Sequence, residues 1–395
     1  MSTSLMPNYA RLPVCFVKGE GAWLWDTQGK RYLDAMSGVA VCGLGHAHPA
    51  LTAAICDQAG KLIHTSNWFE IAHQQTLADV LTRVTGMESV FFSNSGAEAN
   101  EAAIKIARLY GHRHNIDVPT VVVMEGSFHG RTLATLTASG NKKIQAGFEP
   151  LVQGFLRAPY NDVAAIEALA IRHPEICAIL VEPIIGEGGV KIPDADYLPR
   201  LRALCDKHNW LLMLDEIQTG IGRTGTWLAC QQTNVLPDVV TLAKGLGGGV
   251  PIGACLACGT VATILQPGTH GSTFGGNPLA CRVGLTVLNT IEQDNLLARV
   301  QELGQRFQRG FTEVLQGVAA VTAVRVKGLM IGIELKYPCQ ELMRQALAEG
   351  VVLNVTAEKV VRLLPPFILS DAQADEIIAI TSRVIQQFSH LKERE

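Results

Sequence analysis

Residues 21–33, GAWLWDTQGKRYL, alternate apolar and polar positions about a Thr-Gln-Gly turn, and this period of two predicts a small β-hairpin outside any main sheet. Helical spacing of apolar residues follows over 49–63 and 73–85. Short apolar runs then alternate with helical segments: SVFFS, a helix from Ala97, TVVVME, a helix from Asp162, AILVEP, a helix from Leu198, and WLLMLDE. Repeated strand–helix units of this kind predict an α/β fold whose mostly parallel sheet is covered on both faces. After Pro278 the pattern changes to one long helical stretch from 279 to about 315. Short strands in VAAVTAVRVKG and LMIGIEL come next, then a helix over 339–349 and a last helix from Asp371. The expected organisation is a large domain over 61–280 and a smaller α+β domain made from both ends, 1–60 and 281–395.

Composition narrows the function. Lys plus Arg (33) and Asp plus Glu (36) nearly cancel, to a net charge of -3, so the chain has no bulk basic surface for a nucleic-acid backbone. The N-terminus, MSTSLMPNYARLPVCF, has neither a basic segment leading into an apolar core nor a small-residue cleavage pattern, and reads as unprocessed and cytoplasmic. No apolar run is long enough to span a bilayer. The ten cysteines are scattered through apolar segments, as buried reduced thiols are, which argues against a disulfide framework.

The chemistry concentrates in the middle of the chain. In LLMLDEIQTGIGRTG an apolar run ends in Asp215 and Glu216 before a Gly-rich loop. A carboxylate there sits at the end of a buried strand, where open α/β sheets bind ligands. By itself it could equally cap the following turn. Further on, PDVVTLAKGLGGGVPIGA sets Lys244 after another apolar strand and before a run of glycines. A desolvated lysine loses its proton more readily and becomes a nucleophile toward an aldehyde. The aldehyde of a pyridine cofactor needs a carboxylate partner on its ring nitrogen, and Asp215 supplies one. The cofactor's phosphate has a place at SNSGAEANEAAIKIAR, where Ser95, Gly96 and Ala97 open a helix whose backbone N–H groups can face an anion. In EGSFHGRT, Phe128 is an aromatic fit to stack on a ring and Arg131 a fork fit for a carboxylate.

The set SGAEANE, EGSFHGRT, EPIIGEGG, LDEIQTGIGRTG, AKGLGGG and HGSTFGGNP, in this order and nearly end to end, resembles the class III (ornithine-type) aminotransferases of fold type I. The resemblance implies pyridoxal 5'-phosphate, a large domain with a seven-stranded sheet, a small domain from both termini, and a homodimer with active sites at the interface. It implies Lys244 as the Schiff-base lysine, Asp215 on the pyridine nitrogen, Gln218 near the ring hydroxyl, and Phe128 stacked on the ring. Gly96 and Ala97 match the phosphate loop, and Thr273 the phosphate ligand from the neighbouring subunit. Arg131 and Ser272 match substrate-binding positions. In VVRLLPP, Arg362 matches the site for the α-carboxylate of glutamate or 2-oxoglutarate, with Glu187 as the acid that masks it. Within the class, YARLPV, GVAVCGLGHAHP, HTSNWFEIAHQ and NVTAEKVVRLLPP are most like members that move the δ-amino group of N2-acetylornithine to 2-oxoglutarate in arginine biosynthesis. Trp68-Phe69 depart from the class pattern at a place that shapes the substrate pocket, which leaves succinylornithine, succinyl-diaminopimelate, ornithine and 4-aminobutyrate as alternatives.

Competing readings were weighed for each residue. Lys244 could be a solvated surface lysine, and Arg131, Arg362 and Glu187 could be structural ion-pair partners. His46 and His48 with Cys255 and Cys258 suggest a metal site, but CLAC lies in an apolar strand-like run and the histidines precede a helix start, so no metal is expected. A decarboxylase or aminomutase of the same fold would not need two carboxylate-binding arginines. A non-catalytic binding module would be expected to have lost Lys244 or Asp215.

Overall fold

The computed structural model of the chain describes residues 4–394. Residues 1–3 of the N-terminal segment and Glu395 of the final LKERE lie outside it. The expected hairpin forms from β2 (Trp23–Asp26) and β3 (Arg31–Asp34), with β1 (Phe16–Glu20) added antiparallel to β2.

The central sheet takes β4 (Ser89–Ser93), β5 (Thr120–Met124), β6 (Phe155–Ala158), β7 (Ile176–Val181), β8 (Leu211–Asp215), β9 (Val239–Leu242) and β10 (Gly253–Ala257). Its order is β4-β10-β9-β8-β7-β5-β6, with parallel pairing from β9 through to β6 and β10 the one reversed strand, antiparallel to both neighbours. Every residue of β5, β7, β8 and β9 is buried. That is why these runs are continuously apolar instead of alternating: helices cover both faces of the sheet. Parallel strands also end on one edge, so the chain leaves β5, β7, β8 and β9 toward the same space.

The C-terminal part contributes β11 (Val321–Lys327), β12 (Met330–Leu335), β13 (Val351–Val352), β14 (Asn354–Thr356) and β15 (Val360–Leu363). The last two, with β11 and β12, make an antiparallel sheet in the order β11-β12-β15-β14. β13 crosses to the N-terminal hairpin and pairs parallel with β3, so the two ends of the chain share one sheet.

The long helix expected over 279–315 is two. Pro278–Gln293 and Leu296–Val314 are separated at Asp294–Asn295, where Asn295 has φ 51°. Asn tolerates this left-handed conformation better than other side chains because its amide can bond locally, and one such residue ends the helix. Strands β13 to β15 were not anticipated.

Candidate active site

The shared edge of β5, β7, β8 and β9 opens on a cavity of about 450 Å³ whose lining includes Ser95, Gly96, Ala97, Phe128, Arg131, Glu187, Asp215, Gln218 and Lys244. Nine sequence-predicted residues therefore meet in one space. Arg362 does not line it, but donates to two residues that do: Glu187 Oε1 at 2.7 Å and Gln218 Oε1 at 3.2 Å. Ser272 and Thr273 line a neighbouring cavity of about 1070 Å³ with Trp68, and only the hydrogen bond from Asn94 Nδ2 to Ser272 Oγ, 3.2 Å, links the two.

Asp215 ends β8 and is 3% exposed. Its Oδ1 accepts from Ile217 N at 3.1 Å, while Oδ2 accepts from Asn100 Nδ2 and is hydrogen-bonded to His129 Nδ1, both at 2.8 Å. Asn100 is fully buried and saturated: its amide also donates to His129 O at 2.8 Å and its carbonyl accepts from Thr241 Oγ1 at 2.7 Å. One side chain thus joins the helix Gly96–Arg113, the loop after β5, the end of β8, and β9, three residues before Lys244.

Lys244 follows β9 with φ 41°, in the left-handed region that a side chain makes costly. Such strain persists only where the surroundings over-determine it. Burial lowers the Lys244 pKa below the ordinary lysine value and the Arg362 charge adds to this, against the carboxylates of Glu187, Asp215 and Glu182. The amine is thereby shifted toward the nucleophilic, uncharged form.

Ser95 caps the helix Gly96–Arg113, its hydroxyl accepting from Glu98 N, and the first intrahelical bond runs from Ala99 N to Ser95 O. The N–H groups of Gly96 and Ala97 come before that bond and remain available to an anion. A Cβ at Gly96 would lie 2.7 Å from Ile217 Cδ1, so the close approach of this turn to the β8 loop requires glycine.

Arg362 lies on β15, 1% exposed, against Glu187 at 35%. Its Nε donates to Asn354 Oδ1 at 3.2 Å. Burial pushes the Glu187 carboxyl up, but the charge and hydrogen bond of Arg362, with Lys244 and Gln218 adding, hold it below the usual carboxylate range. The Arg131 guanidinium sits 5.6 Å from the Phe128 ring centroid, exposed and without an acidic partner among the described residues.

Three contributors escaped the sequence reading: Asn100, His129 and Glu182. Glu182 follows β7, accepts from Phe128 N at 2.9 Å and Gly186 N at 3.0 Å, and is pushed up to about 7 by burial and the nearby Asp215 charge. It carries the same signal as Asp215, an acid ending a buried parallel strand. The signal for Asn100 was an Asn inside an otherwise strong helix, where its propensity is poor.

The donor set suits a pyridine aldehyde phosphate: an amine of lowered pKa, a buried and hydrogen-bonded carboxylate, an aromatic face and free helix N–H groups around one cavity. Among the described residues, no three of His, Cys, Asp and Glu cluster to hold a metal ion, all cysteines are free, and no helix is long and apolar enough to cross a membrane.

Comparison with known proteins agrees with this chemistry. The acetylornithine aminotransferase of Nitrosomonas europaea is 58% identical over 384 residues, 97% of this chain and 98% of that one. That of Aquifex aeolicus is 47% identical, covering 97% and 100%. Among solved structures, an ornithine aminotransferase from Toxoplasma gondii, with partial occupancy of PLP at its active site, superposes with a TM-score of 0.94 at 34% identity, over 99% of this chain and 94% of that one. The N-acetylornithine aminotransferase of Stenotrophomonas maltophilia gives 0.84 at 37% identity, over 97% and 98%. The family model for aminotransferase class-III matches residues 5–385, and the chain belongs to that family, with its fold type I architecture.

Proposed function

We propose that this protein is a pyridoxal-phosphate-dependent transaminase that moves the δ-amino group of N2-acetylornithine to 2-oxoglutarate, giving N-acetylglutamate 5-semialdehyde and glutamate, a step of arginine biosynthesis. The observation that carries the reading is the Arg362–Glu187 pair beside the Lys244 cavity. A transaminase must accept two substrates in turn at one site, and a guanidinium that can be covered and uncovered lets it do so.

Bound, the cofactor supplies an electrophilic aldehyde and a ring that accepts electrons. Lys244 would hold the aldehyde, Asp215 the ring nitrogen, Gln218 the ring hydroxyl and Phe128 the ring face, with Ser95, Gly96 and Ala97 on the phosphate. Once displaced, the Lys244 Nζ takes a proton from the substrate carbon that bears the amine and returns it on the other side of the transfer. Arg131 would hold the α-carboxylate of the acylated amino acid, and Ser272, which shares the Thr273 cavity, would reach that substrate only from the neighbouring subunit, as Thr273 does. Glu187 keeps Arg362 covered meanwhile, because a bare guanidinium would draw that carboxylate and present the wrong end. For 2-oxoglutarate the pair opens and Arg362 takes the α-carboxylate.

Thr273 lies on a different cavity from Lys244, which supports its assignment as a phosphate ligand given to the neighbouring subunit of a homodimer. The central sheet and the sheets built from both ends support a division at about residues 60 and 280. As a biosynthetic enzyme the chain would work in the cytoplasm.

The test is a pair of half-reactions on purified, cofactor-loaded protein. Bleaching of the cofactor's visible absorbance by N2-acetylornithine, faster than by ornithine and restored by 2-oxoglutarate, is the expected result. Exposed Trp68 (92%) and Phe69 (70%), with Trp68 on the Thr273 cavity, favour testing succinylornithine beside them. Faster bleaching by that amine would keep the chemistry and change the substrate.

A further inference from the structure

We propose that a groove of about 600 Å³ between the helix Leu296–Val314, the β11–β12 turn and the loop after β8 binds a small oxyanion, a phosphate or carboxylate, separately from the Lys244 cavity. Two cations, Arg309 and Lys327, line it, and no carboxylate does. Neither side chain has an ion-pair or hydrogen-bond partner among the described residues. Their neighbours differ. On the same helix Arg299 pairs with Asp371 and Arg306 with Asp371 and Asp375, and on the same strand Arg325 pairs with Glu334. The cations left unpaired are those that border the groove.

A second observation points to a ligand. Thr224, 3% exposed, is one of the groove's lining residues, and its buried hydroxyl has no hydrogen-bond partner among the described residues. Leaving a buried hydroxyl unmade is costly unless something else completes it. The exposed Gln305 amide, also on the groove, has no protein partner among the described residues. Two positive charges and two uncharged donors with no acid present suit an oxyanion and repel a cation.

The surroundings are fixed. Gly328 has φ 54° and an added Cβ would meet Thr224 C at 2.6 Å, Leu329 N donates to Arg223 O at 3.0 Å, and Gln301 Nε2 donates to Gly225 O at 2.8 Å. On the other side of this loop the buried Arg223 donates to Leu329 O at 3.2 Å and to Pro365 O. A bound anion would therefore rest where the segment leaving Asp215 meets the strands that lead to Arg362, and would brace that junction.

The test is calorimetric titration of the cofactor-loaded enzyme with inorganic phosphate, and separately with citrate as a carboxylate probe. Saturable phosphate binding is expected, weakened about tenfold or more in the R309Q/K327Q double variant and about threefold in Thr224→Val, with half-reaction rates unchanged. Thr224→Val should fold at least as stably as the parent, since it removes an unpaired hydroxyl and keeps its shape. Citrate binding more tightly, and losing affinity in the same variants, assigns the site to carboxylates. Phosphate and citrate bound as well by the double variant, or no saturable binding of either below about 10 mM, overturns the proposal.

Discussion

The floor and the wall of the cavity hold their charges in opposite ways. On the floor, Asp215 is buried and bonded to Asn100, His129 and Ile217 N, and the Asn100 amide is itself held by two further hydrogen bonds. On the wall, Arg362 is as deeply buried, but its counter-charge Glu187 is about a third exposed and held by Arg362 and by a long contact of 3.4 Å from Gln218. The floor's carboxylate is tied at three points; the wall's counter-charge is tied to one guanidinium and one long amide contact. A group common to both halves of a transamination needs the first kind of support, and a group used in one half only needs the second.

Variants of the two regions should separate cleanly in single-turnover kinetics. Lys244→Ala should abolish both half-reactions, by on the order of 10⁵ or more, as expected when the proton-moving group is lost. Asp215→Asn should slow both together by about 10³, since it removes charge from under the ring while keeping shape. Unequal losses in the two halves would show that the floor is not shared. Arg362→Lys should slow the 2-oxoglutarate half by about 10² and leave the acetylornithine half within a factor of about three, because an ammonium cannot replace a bidentate fork. Equal slowing would place Arg362 in the floor's category. Glu187→Gln is expected to lower the preference for the δ-amine over glutamate as donor by about tenfold, read from the ratio of kcat/KM values.

The smallest effect lies outside both regions. His46, bonded to Asp34 at 2.7 Å, is raised to about 9, chiefly by that bond and then by Cys42. A base whose folded pKa is raised stabilises the fold fully below its unfolded value of about 6.5 and loses that contribution as pH climbs through about 9. Thermal midpoints should decline over this window in the parent and less in His46→Gln, with the half-reaction pattern unaltered.

How much of this was legible in the chain follows from what each signal depends on. Lys244, Asp215, Phe128 and Gly96 stand at strand ends or a helix start, and local pattern alone puts them there. The Arg362–Glu187 contact joins residues far apart in the chain, from β15 and the loop after β7, and only the class resemblance anticipated it. Asn100 was hidden because its partners lie on three other elements. The break at Asn295 was written in the Asp294–Asn295 pair, but apolar spacing continues across it and periodicity reads through. β14 (NVT) and β15 (VVRL) were missed because each is too short and too close to the turn between them for alternation to register.

The covered guanidinium has one more implication, for concentration. In the roles proposed above, Glu187 would act toward 2-oxoglutarate as a competitive inhibitor carried by the protein itself, one that cannot be diluted or washed away. Its effective concentration would be set by the geometry of strand β15 and the loop after β7, so the measured affinity for the keto acid would be the intrinsic one multiplied by the fraction of time Arg362 stands uncovered. Weakening the pair should therefore tighten 2-oxoglutarate binding even as selectivity falls, and the enzyme's grip on one substrate would be tuned by a residue proposed to deny the site to another.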